Sequence, residues 1–267
     1  MADRLTSTAN PRVRWVKGLH QARQRRAEGV AVAEGIKAVA ELAADPARVV
    51  AVFWSETCAG RPEGTALLDA LGRAGVPLTE VAPHVLDAMA DTRTPQGVIA
   101  VVRCAPADLE ALLARPGDVL VLDGVQDPGN VGALLRSAAA AGAAGVVLAG
   151  GCADPTQPKA VRSAAGCLLR LPFVAWHDAP EVLADRLKAA GCRLAVARAD
   201  GAEPPARVAA AGRVAWVLGA EGGGVCAGLR ARADVSVAIP MAAGVESLNV
   251  AVAGSLLLFA RALAEGG

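Results

Sequence analysis

Short apolar runs alternate with alanine-rich stretches of helical period along almost the whole chain. In the first half the pattern predicts a helix over about 10–27, then strand 30–33, helix 35–44, strand 49–54, helix 64–74, strand 76–81, helix 83–90 and strand 97–103. That order is expected of a small α/β layer domain. The stretch CAPADLEALLARPGD (104–118) breaks the rhythm with its prolines and carries only a short amphipathic helix, Leu109–Leu113, so it reads as a joint. The alternation then resumes: strand 119–123, helix 131–141, strand 145–149, a helix around 158–166, helix 179–190, strands 193–197, 214–219 and 235–240, and a last helix from about Glu246 to Ala264. Strands that are apolar nearly throughout, interleaved with helices, predict a parallel sheet covered on both faces. The expected division is a domain over 1–106, a linker over 107–117 and a second domain over 118–267, with no internal repeat.

Composition narrows this picture. A chain of 267 residues has room for two domains with cores of their own. The hydrophobic fraction of 54% and mean hydropathy of +0.39 suggest a membrane protein only until the residues are inspected, because alanine supplies the largest share. The uncharged run Ala138 to Ala153 is interrupted by glycines and lacks the roughly 20 strongly apolar residues of a spanning helix. MADRLTSTANPRVRW contains no apolar signal core. A soluble cytoplasmic protein is expected, without a membrane partner. The six cysteines form no C-x-x-C pair, and the three histidines, His20, His84 and His177, do not cluster. No metal site is expected, and the cysteines read as small apolar residues in a reducing compartment.

Charge adds an asymmetry that the net value of +1 hides. Residues 1–26 hold seven cations against Asp3 alone and carry +6, while the rest of the chain, with 20 basic and 25 acidic residues, carries −5. A helix starting at Asn10-Pro11, with proline in its first position, would present Arg12, Arg14, Lys17, Arg23, Arg25 and Arg26 either to a polyanion or to solvent. Tyrosine is absent and aromatics are only 3%, so contact with RNA would rest on phosphates, shape and ribose rather than on base stacking.

The stretch LDGVQDPGNVGALLRSAAAAG (122–142) looks at first like a phosphate loop. Its glycines, Gly124, Gly129 and Gly132, do not match G-x-G-x-x-G, and no Gly-Lys-Ser/Thr follows. What remains is Asn130, readable as a helix cap, and Arg136, a lone cation on a small apolar face that would need an anion or hydroxyl in a cleft. In VLGAEGGGV (217–225) four glycines and the single acid Glu221 follow an apolar strand, which suits either close ligand approach or a mobile turn. IPMAAGVESLNVAVAG (239–254) sets Ser247 and Asn249 at the entry to the last helix, where such residues commonly cap.

In this order and spacing, the three stretches resemble the motifs of the SpoU/TrmH branch of the SPOUT RNA ribose methyltransferases: D-P-G-N-V-G-A-L-L-R, G-A-E-G-G-G and I-P-M-A-A-G-V-E-S-L-N-V. The likeness covers about residues 118–265. VAVAEGIKAVAELA (30–43) and DTRTPQGVIAVV (91–102) are similar to segments of the RNA substrate-binding domain found in many such enzymes.

The resemblance implies a C-terminal domain with a parallel sheet and a trefoil knot, a rare exception to the rule that chains do not thread loops. It implies S-adenosylmethionine bound at Leu218, Gly219, Ile239, Met241 and Leu248, and a homodimer whose two subunits build each site. The catalytic positions map to Asn130, Arg136, Glu221, Ser247 and Asn249, with Asn130 expected to hold Arg136 and Glu221 to anchor its loop or the arginine. Arginine is the family's proton acceptor; since a guanidinium stays charged above pH 12, either the site favours neutral Arg136 or the residue orients the hydroxyl and a nearby phosphate. The implied reaction is methyl transfer to a ribose 2′-hydroxyl of structured RNA, 23S ribosomal RNA before transfer RNA because of the N-terminal domain. The alternatives are a non-catalytic RNA-binding or ribosome-assembly protein and a dinucleotide oxidoreductase, which the failed glycine spacing disfavours.

Overall fold

In the computed structural model, which describes residues 4–265, the predicted alternation becomes two separate sheets. The chain divides into two compact units, Met1–Ala105 with Asp154–Leu169, and Pro106–Ala153 with Arg170–Gly267. The segment Asp154–Leu169, read from the sequence as part of the second half, thus groups with the first unit.

The first unit holds a four-stranded sheet of β1 (Val30–Glu34), β2 (Val49–Trp54), β3 (Leu78–Glu80) and β4 (Val98–Arg103), in the order β1-β4-β2-β3. β4 runs antiparallel to both neighbours; β2 and β3 are parallel, joined through the helix Pro62–Arg73 as such a crossover requires. That helix buries Leu67 and Leu71, one turn apart on one face. Val13, Val16, Leu19, Phe53, Leu86 and Ile99 meet in one core on the sheet. Glu34, buried at the end of β1, accepts from the amides of Asp91 and Thr92 and from the Thr92 hydroxyl, and Gln96 Oε1 accepts from the Ile36 amide. The two segments with the family likeness therefore bind each other.

The helix expected over 10–27 is two helices, Pro11–Gly18 and Ala22–Glu28. Asn10 caps the first by accepting from the Arg12 amide. Gly18 weakens the helix where it stops. Beyond it, Arg25, only 2% exposed, donates to the carbonyls of Leu19 (2.7 Å) and His20 (2.9 Å), to Thr156 Oγ1 (3.1 Å) and to Asp154 (2.8 Å). The guanidinium holds the break open by satisfying carbonyls that a continuous helix would have used.

The second unit is a six-stranded sheet of β5 (Val119–Asp123), β6 (Gly145–Ala149), β7 (Phe173–Ala175), β8 (Arg193–Ala197), β9 (Val214–Gly219) and β10 (Val235–Val237), ordered β10-β8-β9-β5-β6-β7. Every pairing is parallel, as the apolar runs predict. β5 and β6 are buried throughout. The three-residue β7 and the short helices Pro205–Ala210 and Ala227–Ala231 are too brief to leave a periodic signal. The strand expected to reach residue 240 ends at Val237. Helix Pro128–Ala140 starts three residues earlier than predicted, because Asp127 rather than Asn130 is the cap: its carboxylate accepts from the Asn130 amide at 2.9 Å. The last helix, Val250–Glu265, starts four residues later than predicted.

Candidate functional site

In a parallel sheet, ligands bind in the crevice beyond the carboxyl ends of the strands. All three glycine- and asparagine-bearing stretches arrive at that edge. β5 ends at Asp123, a carboxylate 6% exposed that accepts from the Cys226 amide at 2.7 Å and so ties the loop after β9 to β5. Sequence reasoning gave Asp123 no role; the signal was a lone acid closing the apolar strand VLVLD.

The polar residues of the three stretches are joined directly. Asn130 Nδ2 donates to Glu221 Oε1 at 2.6 Å, and Asn249 Nδ2 donates to Asn130 Oδ1 at 3.2 Å. Asn249 also caps the last helix, its Oδ1 accepting from the amides of Ala251 (2.9 Å) and Val252 (3.3 Å). One side chain thus starts a helix and bridges two motifs.

Beside this network lies a cleft of about 530 Å³ at the ends of β8, β9 and β10. Leu218, Gly219, Ile239, Met241 and Leu248, the five expected cofactor contacts, all line it, as do Glu221, Ser247 and Asn249. The volume suits a nucleoside-sized ligand. A Cβ on Gly219 would fall 2.0 Å from the carbonyl carbon of Gly224, so only glycine lets the 220–224 loop fold back here. Gly224 completes the turn at φ +63°, donating its amide to Ala220 O at 2.9 Å. Apolar walls, an open backbone and a few polar groups fit an adenosine-bearing cofactor.

Three further charged residues line the cleft that the sequence did not single out: Arg198, Asp200 and Arg230. Arg198 binds Asp200 through two hydrogen bonds of 2.8 Å. The Arg198 hydrogen bonds hold the Asp200 carboxyl below its ordinary value, and the same bonds raise Arg198. Burial pushes the Cys152 thiol up, as it does that of Cys226, and Cys152 donates to the carbonyls of Leu122 and Ala149.

Arg136 is not part of the cleft lining. It is exposed on its helix, and Asn130 is bonded to Glu221 and Asn249 rather than to it. The hydrogen bond by which Asn130 is expected to hold Arg136 is therefore absent among the described residues.

The six N-terminal cations separate into three kinds. Arg25 is buried, with its donors satisfied internally, so it does not serve as a surface contact for RNA. Arg12 donates to Thr79 Oγ1 at 2.7 Å and stacks on Phe53, 5.3 Å from the ring centroid. Arg14, Lys17, Arg23 and Arg26 are exposed. Among the described residues, no three His, Cys, Asp or Glu side chains converge as a metal site, and no helix is long and apolar enough to cross a membrane.

Residues 118–259 match the SpoU rRNA Methylase family, and residues 10–100 match the MRM3-like substrate binding domain. The chain is 31% identical over 255 residues to the 23S rRNA (guanosine(2553)-2′-O)-methyltransferase RlmP of Bacillus subtilis, covering 96% of this chain and 97% of that relative. It is 35% identical over 234 residues to the 23S rRNA (guanosine-2′-O-)-methyltransferase RlmB of Vibrio cholerae, covering 84% and 93% respectively. The crystal structure of an AdoMet-bound rRNA methyltransferase from Sinorhizobium meliloti superposes with a TM-score of 0.82 at 27% identity, over 97% of each chain.

Proposed function

The chain belongs to the SpoU rRNA methylase family, and we propose on that premise that it methylates a ribose 2′-hydroxyl of structured RNA, with 23S ribosomal RNA as its substrate. It is an S-adenosylmethionine-dependent enzyme. The observation that carries the reading is the Glu221–Asn130–Asn249 network, which joins the three motifs at the rim of a cleft sized for the cofactor.

When bound, S-adenosylmethionine supplies a methyl already activated on a sulfonium sulfur. Leu218, Ile239, Met241 and Leu248 offer its adenosine an apolar wall, and Gly219 admits it close to the backbone. The protein has to hold the ribose oxygen in line with that methyl. The oxygen gains the methyl carbon, the carbon–sulfur bond breaks, S-adenosylhomocysteine departs and the hydroxyl proton passes to solvent. Arg136, a fork of donors with no acceptor while charged, orients the hydroxyl and the phosphate beside it. Asn130 and Glu221 keep the loop after β9 against the helix that carries Arg136, and Ser247 and Asn249 complete the polar rim.

Because Arg136 faces outward, we assign it to the site of a second copy. Val252, Leu256 and Leu263 form an exposed apolar stripe on the last helix, which packs against the Arg136 helix through a Ser137–Ser255 hydrogen bond of 2.7 Å. That stripe supports a homodimer. A trefoil knot, a cytoplasmic location and RNA contacts from Arg14, Lys17, Arg23 and Arg26 belong to the same reading. Mapping ribose methylation across all RNA from cells with and without the protein tests it: one 23S position should lose its methyl. Loss confined to a transfer RNA, or no loss anywhere, overturns the substrate.

A further inference from the structure

Four charged side chains line the cofactor cleft, and three already have partners. Arg198 and Asp200 neutralise each other through paired 2.8 Å bonds, and Glu221 accepts from Asn130. Arg230 remains: it is exposed, it lines the cleft, and its side chain makes no hydrogen bond or ion pair among the described residues. Its backbone is firmly held. The short helix Ala227–Ala231 follows Cys226, whose amide binds the buried Asp123, and Leu229 anchors it with no exposed surface.

An open guanidinium on a fixed backbone beside an apolar nucleoside wall suits a ligand with a planar anion at one end. S-adenosylmethionine has such an end, the α-carboxylate of its amino-acid half. We propose that Arg230 recognises this carboxylate and so selects cofactors that keep the amino-acid half. The inference rests on the cleft being the cofactor site. Arg230 is then a binding residue that the three motifs do not contain, since it lies beyond G-A-E-G-G-G and before I-P-M-A-A-G.

The test compares two ligands that share the adenosine and differ at that end. S-adenosylhomocysteine keeps the carboxylate; 5′-methylthioadenosine lacks the whole amino-acid half. Calorimetric titration of the full-length chain should show Arg230→Ala weakening S-adenosylhomocysteine roughly 10-fold, the scale of one charge-assisted contact in a partly open site, while methylthioadenosine binds as in the wild type. Arg230→Lys should recover part of the loss. Unchanged affinity for both ligands in Arg230→Ala overturns the proposal, as does an equal loss for both, which would make Arg230 a wall of the nucleoside half. If the wild-type chain binds neither ligand, the cleft assignment itself fails, and Arg230 with it.

Discussion

The turn at Gly18–Gln21 in the first unit and the motif rim in the second both rest on polar side chains with unusual surroundings, and they use them in opposite ways. Around the turn, Arg25 is enclosed and each of its nitrogens meets an oxygen of the same unit. At the rim, Glu221, Ser247 and Asn249 are exposed on an open cleft, and Arg136 is exposed on the neighbouring helix. Both stretches are arginine-bearing and lie near helix starts in the sequence. What separates them is whether partners come from the fold or are left for a ligand: a buried guanidinium has to be satisfied internally, while an exposed one can stay open at little cost.

The contrast makes predictions of decreasing size. Arg136→Ala should lower methyl transfer at least about 100-fold, the scale of losing the group that orients the reacting hydroxyl, with S-adenosylhomocysteine affinity nearly unchanged by calorimetry. Near-wild-type turnover would remove Arg136 from the chemistry. Arg25→Ala should do the reverse, destabilising the protein by about 3–5 kcal/mol in urea unfolding because Asp154 and two carbonyls lose their partner. A loss under about 1 kcal/mol would mean that water replaces the guanidinium and that the turn does not depend on it.

The smallest effect is expected at a half-exposed pair in the second unit. Asp234 binds Lys188 at 2.8 Å and accepts from the Leu194 amide at 2.8 Å. Burial alone would raise its carboxyl, but the Lys188 hydrogen bond, the Leu194 amide and the nearby positive charges outweigh burial and leave it below the ordinary 3.8. A depressed carboxyl contributes stability above its unfolded value and loses it as pH falls through the folded one. Asp234→Asn should therefore cost less than about 1 kcal/mol at neutral pH, and the difference should vanish in acid below the ordinary carboxylate range. A difference that persists there would assign the effect to geometry rather than charge.

Much of the fold is legible in the sequence because its signals are local. The runs 119–123, 145–149, 193–197 and 214–219 become strands with those same boundaries, since a strand buried on both faces must be apolar at every position. Pro11 and Asn10 start the first helix as their positions predict. The convergence of Leu218, Gly219, Ile239, Met241 and Leu248 on one cleft is legible too, because motif spacing preserves which residues reach one strand end. The single helix that the pattern predicts over 10–27 is two in the structure, since nothing local reveals that Arg25 turns inward toward Asp154, 129 residues away.

Sequence by itself determined the class of fold, the parallel second sheet, the family and the motif residues among those that line the cleft. Tertiary structure decided which polar side chains are enclosed and which remain open. Asn130 lost its role as a cap to Asp127 and became the bridge between Glu221 and Asn249; Arg25 left the RNA-facing set; Arg230 entered the cleft without belonging to any motif. The physical reason is common to all three: backbone periodicity is set within a few residues, whereas whether a charged or amide side chain finds a partner is set by the distant segments the fold brings within hydrogen-bond reach of it.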